Sequence, residues 1–304
     1  MVVVVGSVNV DVVAQLDRLP TEGETRPAQA GWIAPGGKGG NQAVAAARQS
    51  AAVTLVSVVG QDALAATALA TLREVGVRLA VPERPDVPTG MALVWLDAAG
   101  RNTIAVVPGA NASVDASQLE ALDPLQPRDV VLISLEIPLA TAVAAAEWAR
   151  AGGARVLVDP APAPAALPAA LWHVDVLMPN QGEAEHLLGH DVVEGHEEEA
   201  ARELHRRGAQ LAIVKLGGRG LVWSTRERTG RIDAWPIPVV DTTGAGDAFA
   251  GALAANLATG REFEDALWRA TRVAALACTR AGAQTVPTWA DVQRRLGQET
   301  RHDK

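Results

Sequence analysis

Val2-Val3-Val4-Val5-Gly6-Ser7-Val8-Asn9-Val10-Asp11 sets four consecutive β-branched residues against a glycine, then two side chains rich in hydrogen-bonding capacity. So short a run, apolar at every position, reads as a strand buried on both faces, as in a parallel sheet. It carries no basic leading segment, so it is not read as a signal peptide. Similar runs recur at Val53 to Val59, Val130 to Ile133, Val156 to Val158, Val174 to Met178 and Leu211 to Lys215. Between them lie Ala/Leu-rich amphipathic stretches: Gln42 to Arg48, Ala63 to Val75, Leu139 to Ala151, Glu197 to Arg207, Asp247 to Leu257 and Phe263 to Thr279. Strand alternating with helix argues for βαβ units on a mostly parallel sheet, an α/β fold. Two segments break the rhythm. Asp11 to Pro35 is polar and punctuated by Gly and Pro, and in Val87 to Val107 two strand-like runs, Met91 to Leu96 and Asn102 to Val107, flank a turn at Asp97 to Gly100. Both read as strands outside the main sheet, one small β lid built from two separated segments.

The 304 residues suit two domains or one large α/β domain with a small appendage. No internal repeat is visible. A net charge of -8, without any block of Lys/Arg, gives no electrostatic footprint for nucleic acid or anionic lipid. No apolar run approaches the ~18 residues of a membrane helix. Cys278 is the single cysteine, which excludes an intrachain disulfide or a cysteine metal cluster and suits a reducing, cytoplasmic setting. With eight Trp, two Phe and no Tyr, the core must be built from Ala, Val and Leu.

Two glycine clusters open helices. Gly36-Gly37-Lys38-Gly39-Gly40-Asn41 precedes the Gln42 run and is neither a Walker loop nor a dinucleotide fingerprint. It reads either as a tight turn with a cap or as a ligand loop. Asp241-Thr242-Thr243-Gly244-Ala245-Gly246-Asp247 runs into the next helix, where free backbone N–H groups at the positive end of the dipole favour a phosphoryl group. There Asp247 is placed to accept a proton from an attacking hydroxyl, although a helix cap is the simpler alternative. Further polar residues follow strands: Asn9 and Asp11 after the first, Glu136 after Val130 to Ile133, and Asn180 with Glu183 after Val174 to Met178. Each could be a surface turn, but they recur at the carboxyl edge where open α/β sheets bind ligands. Gly217-Gly218-Arg219-Gly220 joins two strand-like runs and reads as a hairpin turn.

Taken together, the Gly36 to Asn41 cluster, the Asp241 to Asp247 signature and Asn180-x-x-Glu183 resemble the phosphofructokinase-B (ribokinase-like) family of carbohydrate kinases. The likeness runs from about Val2 to Pro287 and includes Gly6 to Asp11, Gly36 to Ala45, Pro108 to Ala112 and Asp159 to Ala163, which are most similar to the ribose-phosphorylating members. It implies one kinase domain over residues 1–304, a three-layer α/β fold with a central mostly parallel sheet and a small β-sheet lid from about 12–36 and 88–107, and a homodimer paired through the lid. It also implies ATP-dependent transfer to the O5 hydroxyl of D-ribose, with Mg²⁺ and an activating K⁺.

By the same resemblance, Asp247 is the catalytic base, and Gly244, Ala245 and Gly246 are the anion hole. Asn9, Asp11, Gly37, Lys38, Asn41 and Glu136 contact the sugar or shape its pocket. Asn180, Lys215, Gly217, Gly218, Arg219, Gly220, Gly246 and Thr271 line the nucleotide, with Glu183 acting on magnesium through water. Asp241, Thr243, Ala277, Arg280, Gly282 and Thr285 surround the monovalent cation. Two positions depart from the pattern: the segment after Gly282 is one residue shorter than in relatives that end the cation site on Ser, and Thr271 stands where relatives often carry Asn or His. The competing readings are a kinase of the same family acting on deoxyribose, a ketohexose or a nucleoside, and a sugar-binding sensor that has lost transfer. A binder has no need of the Asp247 carboxylate at the anion site.

Overall fold

The computed structural model describes residues 1–97 and 102–302. Val2–Val5 is the inner strand on which the main sheet is assembled, and its four valines are at most 1% exposed. Val53–Val56 pairs with it on one side and Val130–Ser134 on the other, both parallel. The sheet continues to Arg78–Ala80 at one edge. In the other direction it runs through Arg155–Asp159, Val176–Leu177 and Leu211–Lys215, still parallel, and ends in the antiparallel strands Leu221–Ser224 and Thr229–Ile232.

Because successive side chains point to opposite faces, Val2 and Val4 join one apolar cluster and Val3 and Val5 another. The first cluster includes residues of the helices Lys38–Arg48, Ala245–Ala258 and Phe263–Ala277, and the second those of Leu139–Ala151 and Glu197–Arg206. These are the three layers.

The two segments that break the rhythm form a separate sheet in the order Ala30–Gly36, Asn9–Gln15, Gly90–Leu96, Asn102–Val107. Of the turn expected at Asp97 to Gly100, the part from 98 to 100 lies outside the described residues. Asn9 and Asp11 therefore sit on a strand of this sheet rather than in a turn after Val5. The break is only Gly6 to Val8, and the alternation Asn9-Val10-Asp11-Val12 already has the period of a half-buried strand.

Other boundaries moved for local reasons. The first long helix starts at Lys38, not Gln42, so the glycine cluster is its first turn. Gly37, at φ 84, turns the chain into it, and a Cβ there would lie 2.6 Å from the Asn9 amide nitrogen. A Cβ on Gly39 would lie 2.5 Å from the Gly6 carbonyl carbon. These glycines serve close packing of the helix on the chain leaving Val5. Ala63 to Val75 divides at Leu69 into Ala63–Ala68 and Ala70–Glu74. Val174 to Met178 shortens to Val176–Leu177. Helices at Gln181–Leu188 and Trp289–His302 were not read from the sequence. No helix among the described residues is long and apolar enough to cross a membrane.

Gly39→Ala tests this packing. Ala is the better helix former by up to about 1 kcal/mol, so a net loss requires the clash with Gly6 to dominate. Urea unfolding should register a loss of roughly 1–3 kcal/mol. An unchanged midpoint would mean that the helix can shift away from Gly6 at no cost.

Candidate active site

From Val2–Val5 the chain builds the sheet outward through Val53–Val56 to Arg78–Ala80, then returns to Val130–Ser134 and builds the other way. The crevice beyond the carboxyl ends of Val2–Val5 and Val130–Ser134 is thus a topological switch point, the usual ligand site of open α/β sheets. Three sequence-predicted groups converge there: the Gly6 to Asp11 exit, the Lys38 helix and Glu136. Glu136 Oε2 accepts from the Ser7 hydroxyl and, at 3.1 Å, from the Lys38 amide, which ties the two strand exits to the helix start.

Asp247 lies in the first turn of Ala245–Ala258 and is 6% exposed. Its Oδ2 accepts from Asn41 Nδ2 at 2.9 Å and its Oδ1 from Gln42 Nε2 at 3.1 Å. The same Gln42 nitrogen donates to Asp159 Oδ2 at 2.9 Å, and Lys215 Nζ donates to Asp159 Oδ1 at 2.6 Å. On the other flank, Gln284 Nε2 donates to Asn41 Oδ1 at 3.1 Å. One chain of bonds therefore runs Lys215, Asp159, Gln42, Asp247, Asn41, Gln284. Burial pushes the Asp247 carboxyl above the ordinary Asp range; the Lys38 ammonium opposes this, and Asp159 and Glu136 add to it. The site removes water from the group and so disfavours its charged form. For Lys38, burial opposes the charge, but the carboxylates of Asp247, Asp159, Glu136 and Glu183 outweigh it and hold the ammonium above its usual range.

Asp11 is pushed up to about 6 by burial, with Glu136 and Asp247 adding repulsion. Its carboxylate occupies the space a Cβ on Gly36 would need. Asn9 Oδ1 accepts from Asn111 Nδ2 at 2.7 Å, and the Asn111 amide also exchanges two bonds with the Val8 backbone. Asn111 belongs to the Pro108 to Ala112 motif, which the sequence displayed without revealing this role at the root of the lid.

Gly244, at φ 73, precedes the helix and lies against Ala283. The Ala245 amide donates to the Thr242 carbonyl at 3.1 Å and the Ala248 amide to the Gly244 carbonyl at 2.8 Å, so the first helical turn is closed on both sides of Gly246 and Asp247. A Cβ built on Gly246 would meet nothing nearer than Lys215 Nζ, at 3.7 Å, so the ammonium stands over the helix start.

The expected nucleotide residues are only partly gathered. Asn180 caps Gln181–Leu188 in a reciprocal box with Glu183, and it bridges to Lys215 on the neighbouring strand. Burial raises the Glu183 carboxyl while Lys215 opposes the shift. Gly217–Arg219 is a single turn closing the hairpin between Leu211–Lys215 and Leu221–Ser224, as its glycines suggested, and Gly220 follows it at φ 83. The Arg219 guanidinium is held by Glu197 and by Gln181 Oε1 at 2.7 Å. The Thr271 hydroxyl donates to the Leu267 carbonyl of its own helix at 2.9 Å.

Asp241 joins the expected cation residues. It accepts from the Thr243 amide and hydroxyl at 2.9 and 2.7 Å and from the Gly282 amide at 2.9 Å. Burial works against the charge, but these bonds prevail and hold the carboxyl below its usual range. The Thr285 hydroxyl donates to the Gly282 carbonyl at 2.8 Å, and the Arg280 amide to that of Ala277 at 3.1 Å. Among the described residues the partners of the Asp241 carboxylate are N–H and O–H donors, with no side-chain cation paired to it. No group of three His, Cys, Asp or Glu stands together as a metal cluster among the described residues.

The model of the pfkB family carbohydrate kinases matches residues 1–290. The chain belongs to that family. A deoxyribokinase of Salmonella typhimurium is 34% identical over 288 residues, covering 93% of this chain and 94% of that protein. A ribokinase of Bacillus subtilis is 36% identical over 296 residues, covering 96% and 98%. Among solved structures, Arabidopsis thaliana ribokinase complexed with ribose and ATP superposes with a TM-score of 0.85 at 31% identity, covering 96% of this chain and 97% of that one. The ribokinase of Thermotoga maritima also reaches 0.85, at 32% identity, covering 97% and 99%. The fold is therefore ribokinase-like and the protein is a sugar kinase of the ribokinase family.

The Asp11 shift has a measurable consequence. Its folded value, about 6, exceeds the unfolded 3.8, so the folded state holds more protons between the two, and this group's contribution to stability falls as pH rises through that window. Asp11→Asn removes the penalty. The variant's gain in unfolding midpoint over the parent should grow between about pH 4.5 and about pH 7.5. A gain that stays constant or shrinks would show that Asp11 carries no such burden.

Proposed function

We propose that the protein transfers the γ-phosphoryl group of ATP to the O5 hydroxyl of D-ribose, giving D-ribose 5-phosphate and ADP. The observation that carries this reading is Asp247: a buried carboxylate at a helix start, bonded to Asn41 and within the field of Asp11, with the Lys215 ammonium beside Gly246. Asn9, Asp11, Lys38, Asn41 and Glu136 offer the multiple donors and acceptors a polyol requires, with Gly37 shaping the pocket wall. As the new O–P bond forms and the bond to the β-phosphate oxygen breaks, Asp247 takes the O5 proton, and Lys215 with the Gly244 to Gly246 turn opposes the charge on the phosphoryl oxygens.

Asp11, Glu136, Asp159, Glu183 and Asp247 outnumber Lys38 and Lys215, so a bare nucleotide would meet a surplus of negative charge. Glu183 would hold Mg²⁺ through water, and the ion would supply the compensating charge. Asn180, Lys215 and the Gly217 to Gly220 turn would border the nucleotide, with Thr271 on the adjoining helix. K⁺ held by Asp241 and the surrounding carbonyls would order the turn that leads into Gly244.

Pairing of two lids in a homodimer is supported by one lid face. Val106 lies on the registered row of Asp11, and Trp32 and Ile104 on that of Val13, two residues along and so on the same face; the three are 48%, 45% and 51% exposed. The lone cysteine is compatible with a cytoplasmic protein.

Asp247→Asn should retain sugar and nucleotide binding while turnover falls roughly 10²-fold or more. Turnover within threefold of the parent would remove Asp247 from the role of base. The similarity to a deoxyribokinase supports a second reading, in which 2-deoxyribose is the acceptor. If Asp11 and Asn41 hold the 2- and 3-hydroxyls, kcat/KM for 2-deoxyribose should be at least about tenfold below that for ribose, since polar groups left unpaired cost ~1–3 kcal/mol. Equal or reversed efficiencies would transfer the assignment to the deoxy sugar. At matched ionic strength, K⁺ should raise the rate over a bulky organic cation, and equal rates would argue against the Asp241 site.

A further inference from the structure

Gln42 is fully buried and was not among the residues to which the sequence assigned a role. Its amide nitrogen has two hydrogens, and each is committed to a carboxylate, Asp159 at 2.9 Å and Asp247 at 3.1 Å. That fixes the amide's orientation, since a flip would set its oxygen against two negative groups. Its oxygen has no partner among the described residues. Gln42 is locked from behind as well: the Lys38 helix crosses Ala245–Ala258 so closely that a Cβ on Gly251 would lie 2.3 Å from the Gln42 carbonyl. Asp159, 1% exposed at the end of its strand, is held on its other oxygen by Lys215, whose ammonium also stands over Gly246.

We propose that Gln42 and Asp159 are positioning residues for phosphoryl transfer, the amide holding the Asp247 carboxylate in place and tying its basicity to the Lys215–Asp159 ion pair. The inference rests on the reading of Asp247 as the base. An anion arriving over Gly246 competes for the Lys215 ammonium; as Lys215 turns toward it, Asp159 is less neutralised, and its charge, relayed across Gln42, makes Asp247 a stronger base. The base is then strengthened when the phosphoryl donor is in place. Besides Asp159, the charged groups around Asp247 are Lys38 on the first long helix, Glu136 beyond the neighbouring strand and Asp11 on the lid strand. None of these is hydrogen-bonded to Gln42, so substitution at Gln42 or Asp159 leaves their bonds in place.

The test is the acid limb of the pH profile of kcat/KM for the parent, Gln42→Leu and Asp159→Asn. Gln42→Leu removes a donor to the charged form of Asp247, so the limb should move to higher pH. Asp159→Asn removes a neighbouring negative charge and frees Lys215, so the limb should move to lower pH. In both, kcat should fall about tenfold while the KM for sugar changes less than threefold, the split expected when an interaction acts on the chemical step. Opposite displacements are what general loss of structure does not produce. Lower rates with an unmoved limb, or displacements in the same direction, would overturn the proposal. Asp247→Asn separates the two layers of argument. If that variant keeps the parent's acid limb, the base assignment itself has failed; if the limb is lost there yet unmoved in the other two, only the positioning role has failed.

Discussion

The arrangement depends on one carboxylate kept almost free of water. Among the described residues Asp247 has no ion-pair partner in direct contact; two side-chain amides, from Asn41 and Gln42, supply its hydrogen bonds. Amides stabilise a carboxylate without cancelling its charge, so burial can raise its proton affinity while the group still points in a fixed direction. A lysine in the same place would have suppressed the basicity that proton transfer requires. Lys38 acts on Asp247 through the field rather than by a bond, a compromise between the two demands.

Much of the fold can be understood as what this placement requires. Asn41 and Gln42 are adjacent on one helix and reach Asp247 only because that helix lies tightly against two chain segments. Gly39 permits contact with Gly6, and Gly251 permits contact with the Gln42 carbonyl. Val2–Val5 then fixes where Gly6 lies, since its side chains are buried on both faces of the sheet. The amide network extends in two directions, through Gln284 to the loop that Asp241 closes and through Asp159 and Lys215 to the hairpin. The elements that would handle cation, sugar and nucleotide thus share one set of hydrogen bonds.

The layered α/β architecture was legible because parallel strands buried on both faces need unbroken β-branched runs, and Val2 to Val5, Val130 to Ile133 and Leu211 to Lys215 supply them. The two-segment lid was legible for the opposite reason: its runs sit among Gly, Pro and polar residues that cannot be covered on both sides. The start of the Lys38 helix was obscured, because four glycines within six residues signal a loop, and only tertiary contact with Gly6 and Ser7 overrides their poor helix propensity. Asn180-x-x-Glu183 has the spacing of a capping box, but without the following helix in view its local role was hidden behind a ligand role. Gln42, Asp159 and Asn111 lie within stretches that carry the family resemblance, but neither they nor Gln284 declare a role there. Each acquires its role from a partner more than a hundred residues away, and pairings at that distance are invisible to periodicity.

The central claim, that burial makes Asp247 an unusually strong base, can be measured on the carboxyl group itself. In protein labelled with ¹³C at the aspartate carboxyl carbons, the resonance absent from Asp247→Asn identifies the group, and its chemical shift can be followed against pH in the ligand-free protein. The account expects a titration midpoint clearly above the ordinary 3.8 of an aspartate. A midpoint at or below that value would contradict it, because the site would then be stabilising the charge it is held to make reactive.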